Sequence, residues 1–288
     1  MYVVTGATGN VGSEVVEALA GRGEQVRAVS RHPPDATSTP TVEPVAGDLN
    51  DPATLAEPLE GATGAFLLSG YADMPHLLQL ARRAGVRRVV LLSSSSVATG
   101  KTDNAVVAYH TQAEEDVRAS GIPWTFLRPC MFMTNALQWV DQLAAGDVVR
   151  APFPNVADAV IDPADIGAVA ADALVGGGYE GRALRLSGPE ALTPPDRLRI
   201  LGDVLGRNLR LEGLTDDEAR DELYTSMPEA YAAAFLRFYV DGELDESPVL
   251  PTVGEVLGRP PHDFAGWATA HAGTFAPVSR GSAPHRPR

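Results

Sequence analysis

Residues 1–20 constrain this chain more than any other stretch. Met1-Tyr-Val-Val-Thr-Gly-Ala-Thr-Gly-Asn-Val-Gly12 runs directly into Ser13-Glu-Val-Val-Glu-Ala-Leu-Ala20. A short apolar run reaches Thr5, glycines follow at 6, 9 and 12, and apolar residues then recur at helical intervals. The pattern reads as a strand, a tight glycine turn and a helix. Gly6 permits the turn, Gly9 lets backbone N–H groups approach an anion, and Gly12 lets the helix pack closely on the strand. Because the N–H groups at a helix N-terminus point at bound anions, such a turn seats a dinucleotide pyrophosphate.

Strand and helix signals alternate downstream. Residues 25–30, 41–46, 64–69, 86–92 and 123–128 read as strands, with helical stretches near 52–59, 73–84 and 105–120 between them. This alternation predicts an α/β fold, a doubly wound parallel sheet of the Rossmann type with helices on both faces. After Pro129 the pattern changes. The apolar stretch 131–139 opens a helix along a pocket, 164–174 and 194–206 are helical, 182–187 is strand-like and 215–242 is helical. Tyr231, Phe235 and Phe238 recur at i, i+4 and i+7, which predicts a packing face first and a pocket lid second. The expected division is a dinucleotide-binding domain over 1–150 and a smaller, mostly helical C-terminal substrate-binding region over 151–278, interleaved with the sheet. A basic, Pro-rich disordered tail is expected over 279–288.

Composition narrows the function. A formal net charge of −14 disfavours duplex nucleic acid and anionic membranes as partners. No apolar run approaches the ~20 residues a bilayer span needs, and the first strand starts without a signal-like segment. Cys130 is the only cysteine, so no intramolecular disulfide forms and a reducing cytoplasm is the expected compartment. Neither a metal-ligand spacing nor a Gly-x-Ser-x-Gly elbow is present, and Ser95 takes the place of the first glycine in the P-loop-like 95–102.

The chemistry-bearing residues follow the strand ends. A second strand that serves NAD ends in an acid, because a carboxylate accepts from the ribose 2′-hydroxyl. Here Ser30-Arg31-His32 fills that place, and a guanidinium pairs with a 2′-phosphate instead, so NADP(H) is the expected cofactor. In Gly47-Asp48-Leu49, Asp48 accepts from the adenine amino group or caps the helix near Pro52. Ser69 and Gly70 end the fourth strand; Ser93 and Ser94 begin the serine run that ends the fifth. Both edges lie where cofactors bind in open α/β sheets. Tyr109 lacks a lysine four residues on, since Ala113 stands there and Lys101 is the only lysine. The candidate proton donors are therefore His110 and Tyr109, with His110 and Glu114 one helical turn apart and placed to interact.

These motifs together resemble the NmrA-like group of atypical short-chain dehydrogenases. The resemblance rests on the glycine turn, Arg31, Gly47-Asp48, Ser120-Gly-Ile-Pro-Trp-Thr-Phe-Leu-Arg-Pro129, Phe132-Met133 with Asn135, Asp162-Pro-Ala-Asp-Ile166 and Leu186-Ser-Gly-Pro-Glu190. It runs from residue 1 to about 210. The resemblance implies a phosphate loop at Gly6, Thr8, Gly9, Asn10 and Val11 and a 2′-phosphate arginine at Arg31. It places His110 where isoflavone-reductase-like members carry a catalytic lysine. It also implies a substrate cleft between the sheet and the C-terminal elements, with Met131, Phe132, Asn135 and Trp139 as candidate lining. Since the group holds quinone reductases and redox-sensing regulators, two functions are expected. One is an NADPH-dependent reductase of a quinone or aromatic carbonyl small molecule, with a homodimer as the candidate assembly; the other is a non-catalytic NADP(H) sensor.

Overall fold

A computed structural model describes residues 1–71 and 73–275; the tail predicted over 279–288 lies outside them. Nine strands are present among the described residues: β1 Tyr2–Thr5, β2 Val26–Ser30, β3 Val42–Ala46, β4 Gly64–Leu68, β5 Arg88–Leu92, β6 Trp124–Pro129, β7 Val148–Ala151, β8 Arg182–Leu186 and β9 Arg210–Gly213. Seven form one parallel sheet in the order β3-β2-β1-β4-β5-β6-β8, and β7 pairs with β9 apart from it. The order reverses beside β1, so the crevice outside the strand C-termini opens at the glycine turn.

Each strand of the sheet centre sorts its side chains by alternation. Val4, Phe66, Val90 and Leu127 point to one face. There α1 (Gly12–Gly21) and α6 (Pro163–Val175) bury Val15, Leu19, Ile166 and Val169. Val3, Leu67, Leu91 and Phe126 point to the other, under α3 (Met74–Arg83) and α4 (Ala105–Ala119). Period-two strands buried on both sides are what a parallel sheet requires. A third core gathers the C-terminal half around Trp139, Phe264, Trp267 and Phe275.

Local chemistry sets the helix ends. Asn104 accepts from the N–H groups of Val106 and Val107 to start α4, and a Thr193–Asp196 capping box with Pro194 at the first position starts α7 (Pro194–Leu205). Three helical expectations change. The stretch 52–59 is a 3₁₀ turn, Pro52–Leu55, followed by a single α-turn, α2 (Ala56–Leu59), because Pro58 interrupts the donor series. Residues 133–139 are 3₁₀ before α5 (Val140–Ala145) takes over. The stretch 215–242 breaks at Met227-Pro228 into α8 (Asp216–Ser226) and α9 (Glu229–Tyr239). The β7–β9 pair, α10 (Thr252–Leu257) and α11 (Phe264–Ala270) carry too few periodic residues to stand out in the sequence.

At the turn, Gly6 adopts φ +62° and Gly9 N–H closes the loop on the Gly6 carbonyl at 2.9 Å. A Cβ on Gly12 would strike that same carbonyl, which is backbone and cannot swing away. Gly12→Ala is therefore expected to cost about 1–3 kcal/mol, read as a lower denaturant midpoint at unchanged m-value. An unchanged midpoint would show that the helix start tolerates a methyl group.

Candidate functional site

The site has three parts along the sheet's C-terminal edge. The first is the glycine turn. The N–H groups of Asn10 and Val11 find no backbone acceptor among the described residues. Beside the turn runs a groove of about 520 Å³, with Thr8, Ser30 and Val42 in its walls. Ser30 Oγ is buried there without a partner, and Arg31 stands exposed immediately after it. Free donors at a helix start, an unpartnered hydroxyl at the end of β2 and an adjacent guanidinium fit a dinucleotide. Asp48 does not cap the helix at Pro52: its Oδ1 accepts from Asn50 N–H at 2.9 Å, and its own N–H donates to Thr54 Oγ1. Such a local turn competes with capping. Leu49 lies next to it, half-buried.

The second part is a cleft of about 460 Å³ between the ends of β4, β5 and β6 and the C-terminal helix α9. Ser69, Ser93, Ser94, Tyr109, His110, Met131, Phe132 and Asn135 all line it. Several of these polar groups are already engaged. Ser69 Oγ donates to the Leu92 carbonyl, and the Tyr109 hydroxyl donates to the Ser69 carbonyl at 2.8 Å. Gly70, at φ +88°, has no room for a side chain because the Tyr109 ring lies against it. Ser94 Oγ contacts Ser96 Oγ and accepts the Ser96 N–H, capping the following 3₁₀ turn. Ser93 Oγ donates to Glu114 at 2.7 Å.

Glu114 accordingly does not pair with His110 as the one-turn spacing suggests. Fully buried, it accepts from Arg128 Nε at 2.8 Å and from Arg118 Nη2 at 2.8 Å as well as from Ser93. Two guanidiniums and a hydroxyl outbid a neutral ring and hold this carboxyl below the usual range against its burial. His110 is left with a buried Nδ1 that has no partner, and burial pushes its imidazolium down to about 4. Its ring faces Tyr109 edge-on at 5.0 Å. Burial also lifts the Cys130 thiol to about 12, so the cysteine in this cleft is not a thiolate nucleophile.

Glu246, absent from the sequence-level candidates, closes the cleft. It is 6% exposed, accepts from the Met131 N–H at 3.0 Å and from the Ser95 hydroxyl, and burial pushes its carboxyl up to about 7. In the sequence it belongs to the acidic run Asp241-Gly-Glu-Leu-Asp-Glu246, which looks like a solvated loop. Phe235 and Phe238 also wall the cleft, so two members of the aromatic stripe face a pocket as well as a core.

The third part is a pocket of about 190 Å³ that shares Met131, Asn135, Phe235 and Tyr239 as walls with the cleft. Trp139 lines this pocket and not the cleft itself. Asp158 and Arg197 line it too, buried and without sequence signal.

Three comparisons bear on this geometry. A family model described as NAD(P)H-binding matches residues 6–175. The (4-alkanoyl-5-oxo-2,5-dihydrofuran-3-yl)methyl phosphate reductase of Streptomyces griseus is 41% identical over 282 residues, covering 96% of this chain and 100% of that protein. The NAD(P)H azoreductase of Xenophilus azovorans is 31% identical over 284 residues, covering 96% of this chain and 99% of that one. Among solved structures, the NADPH-dependent quinone oxidoreductase QOR2 of Escherichia coli, complexed with NADPH, superposes with a TM-score of 0.76. At 22% identity, covering 94% of this chain and 99% of that one, the likeness is one of fold. No helix among the described residues is long and apolar enough to cross a membrane.

The His110 ring is expected to stay neutral above pH 5 and to titrate near 4, followed by ring ¹⁵N shifts. Its folded pKa lies below the ordinary 6.5, so its contribution to stability is full above pH 6.5 and fades as pH falls toward 4. A midpoint near 6.5 would place the ring in solvent instead.

Proposed function

The chain belongs to the NAD(P)H-binding family, in keeping with its resemblance to NmrA-like proteins, and from that premise we propose an NADPH-dependent reductase of a flat, conjugated carbonyl or quinone small molecule. One observation carries the reading. The sheet edge that bears the glycine turn opens into an aromatic-walled cleft that also holds a carboxyl poised to carry a proton at neutral pH. Relatives that reduce, by their names, an oxo-dihydrofuran phosphate and azo compounds support reduction of a small acceptor.

In this reading Gly6, Thr8, Gly9, Asn10 and Val11 would hold the pyrophosphate of NADPH, and Arg31 would pair with its 2′-phosphate. Asp48 and Leu49 would border the adenine, and Ser69, Gly70, Ser93 and Ser94 would form the floor toward the nicotinamide. NADPH, when bound, supplies the hydride. Phe132, Phe235 and Phe238 hold a flat acceptor and exclude water. As negative charge develops on the acceptor oxygen, His110 donates a hydrogen bond from Nε2. That tautomer leaves the walled-in Nδ1 without a proton. Neutral imidazole is a poor acid, so Glu246 is the better proton source: its carboxyl gives up a proton and the Ser95 hydroxyl and Met131 N–H receive the resulting charge. Tyr109, tethered to the Ser69 carbonyl, positions the floor of the cleft instead of donating.

The direct test follows NADPH absorbance on mixing the protein with small quinones and aromatic ketones. Saturable, protein-dependent oxidation is expected. Tight NADPH binding with no oxidation across the panel would transfer the assignment to a non-catalytic sensor. Arg31→Ala is expected to raise the KM for NADPH about 10-fold or more while changing that for NADH little; equal losses for both cofactors would remove the 2′-phosphate contact.

Glu246→Gln is expected to lower kcat by about 10²-fold. Wild-type kcat should fall as pH rises through about 7, because the acid form is lost there, and the variant's residual rate should not. Stability follows the same sign. A carboxyl whose folded pKa is raised stabilises fully below its unfolded value near 4.5 and loses that contribution up to about 7, so wild type should lose melting temperature relative to the variant across this window. An unaltered pH profile would exclude Glu246 as the donor.

A further inference from the structure

Three buried side chains, each with an unpartnered polar atom, line the small pocket beside the cleft. Arg197 Nε, Trp139 Nε1 and Asp158 Oδ1 are all buried without hydrogen-bond partners, and all three side chains line the same pocket. Arg197 is only 4% exposed, and its single side-chain hydrogen bond among the described residues is a weak one, from Nη1 to Met131 Sδ at 3.3 Å. The guanidinium sits 5.8 Å from the Trp139 ring centroid. Among the described residues no carboxylate forms an ion pair with it, whereas Glu114, also buried near the sheet edge, is held by two arginines and a serine. Asp158 in the same pocket attracts the guanidinium without bonding to it; a buried cation so loosely compensated is costly to fold and is retained where a ligand supplies a closer anion.

The pocket wall carries a second mark. Phe153 has the only positive φ, +54°, of any non-glycine among the described residues, and its ring rests 5.0 Å from Tyr239. Strain of this kind persists where the surrounding packing over-determines it, often at ligand sites.

We propose that Arg197 and the Trp139 indole N–H form an oxyanion subsite that receives a phosphate or carboxylate arm of the substrate, while its conjugated ring lies in the adjoining cleft. The proposal rests on the reductase reading for the ring and adds the chemical class of the molecule: an acceptor with one anionic arm, not a neutral quinone. A guanidinium offers two parallel donors to either oxyanion, and the indole adds a third. Asp158 shares the pocket, and burial already pushes its carboxyl up to about 6. An arriving oxyanion favours its protonated form, which turns Oδ1 from a repelling charge into part of a donor group.

The test uses 2-(hydroxymethyl)-1,4-naphthoquinone, its phosphate monoester and its succinate half-ester. Each is assayed for NADPH oxidation and, independently of turnover, for binding to the NADP⁺-loaded protein by calorimetry. Wild type is expected to prefer at least one anionic ester over the alcohol by about 10-fold or more in kcat/KM and in affinity. Which ester wins identifies the arm as phosphate or carboxylate. In Arg197→Gln the anion-to-neutral ratio should collapse toward one, and Arg197→Lys should restore part of it. Trp139→Phe, which keeps a ring and removes the N–H, should lower the ratio about threefold. The melting temperature of Arg197→Gln should hold or rise, since an unpaired buried charge is removed; a fall with an unchanged ratio would make Arg197 structural. Equal binding of alcohol and esters to wild type would overturn the subsite. Arg197-dependent ester binding without any NADPH oxidation would retain the subsite and overturn the reductase reading.

Discussion

The contact of Gly12 with the Gly6 carbonyl governs the rest of this molecule. Because no side chain separates them, α1 begins directly under the turn, its first N–H groups stay free, and the helix lies flat enough on the sheet for Val15 and Leu19 to enter the core. The parallel order of the sheet then follows from covering both faces with helices. What that arrangement leaves open is the C-terminal edge, and every functional group described above lies along it. The free N–H groups of the turn and the aromatic-walled cleft thus lie along one edge.

Along that edge the protein treats buried charge in two ways. Glu114 is satisfied by Ser93, Arg118 and Arg128, and so ties α4 to β5 and β6 as a fixed wall. Glu246, Asp158 and Arg197 are buried with few or no partners. Desolvation outweighs the Ser95 and Met131 hydrogen bonds at Glu246 and the attraction of Arg197 at Asp158, which holds both carboxyls partly neutral and leaves the guanidinium without a bonded anion. The first arrangement gives rigidity; the second leaves groups whose charge state or pairing is completed by what binds. Glu246 also joins distant parts of the chain, since its carboxyl reaches Met131 N–H and its carbonyl accepts from Ala159 N–H.

Much of the fold was legible in advance because strand periodicity, helix caps and glycine turns are local. The strands at 26–30, 42–46, 64–68, 88–92 and 124–129 fall within two residues of their expected positions, and the seventh, Arg182–Leu186, joins the same sheet. Where expectation failed, a nonlocal or competing interaction had taken over. Glu114 turned from His110 because Arg128, fourteen residues on and on strand β6, offers charge as well as hydrogen bonds. Asp48 turned from the helix at Pro52 because a nearer N–H, that of Asn50, was free. The aromatic residues of α9 look identical in sequence whether they face a core or a cleft.

By itself the sequence determined the α/β class, the glycine turn with its helix, and the arginine in place of an acid after β2, since each depends on residues adjacent in the chain. Tertiary structure alone decided which ionisable groups lost their water. Glu246 comes from a loop that reads as solvated, Asp158 from a connecting turn and Arg197 from an unremarkable helix start. Their proton affinities and missing partners arise only when segments more than a hundred residues from the glycine turn close over the sheet edge. Desolvation depends on everything packed around a group, and that is not written in its neighbours along the chain.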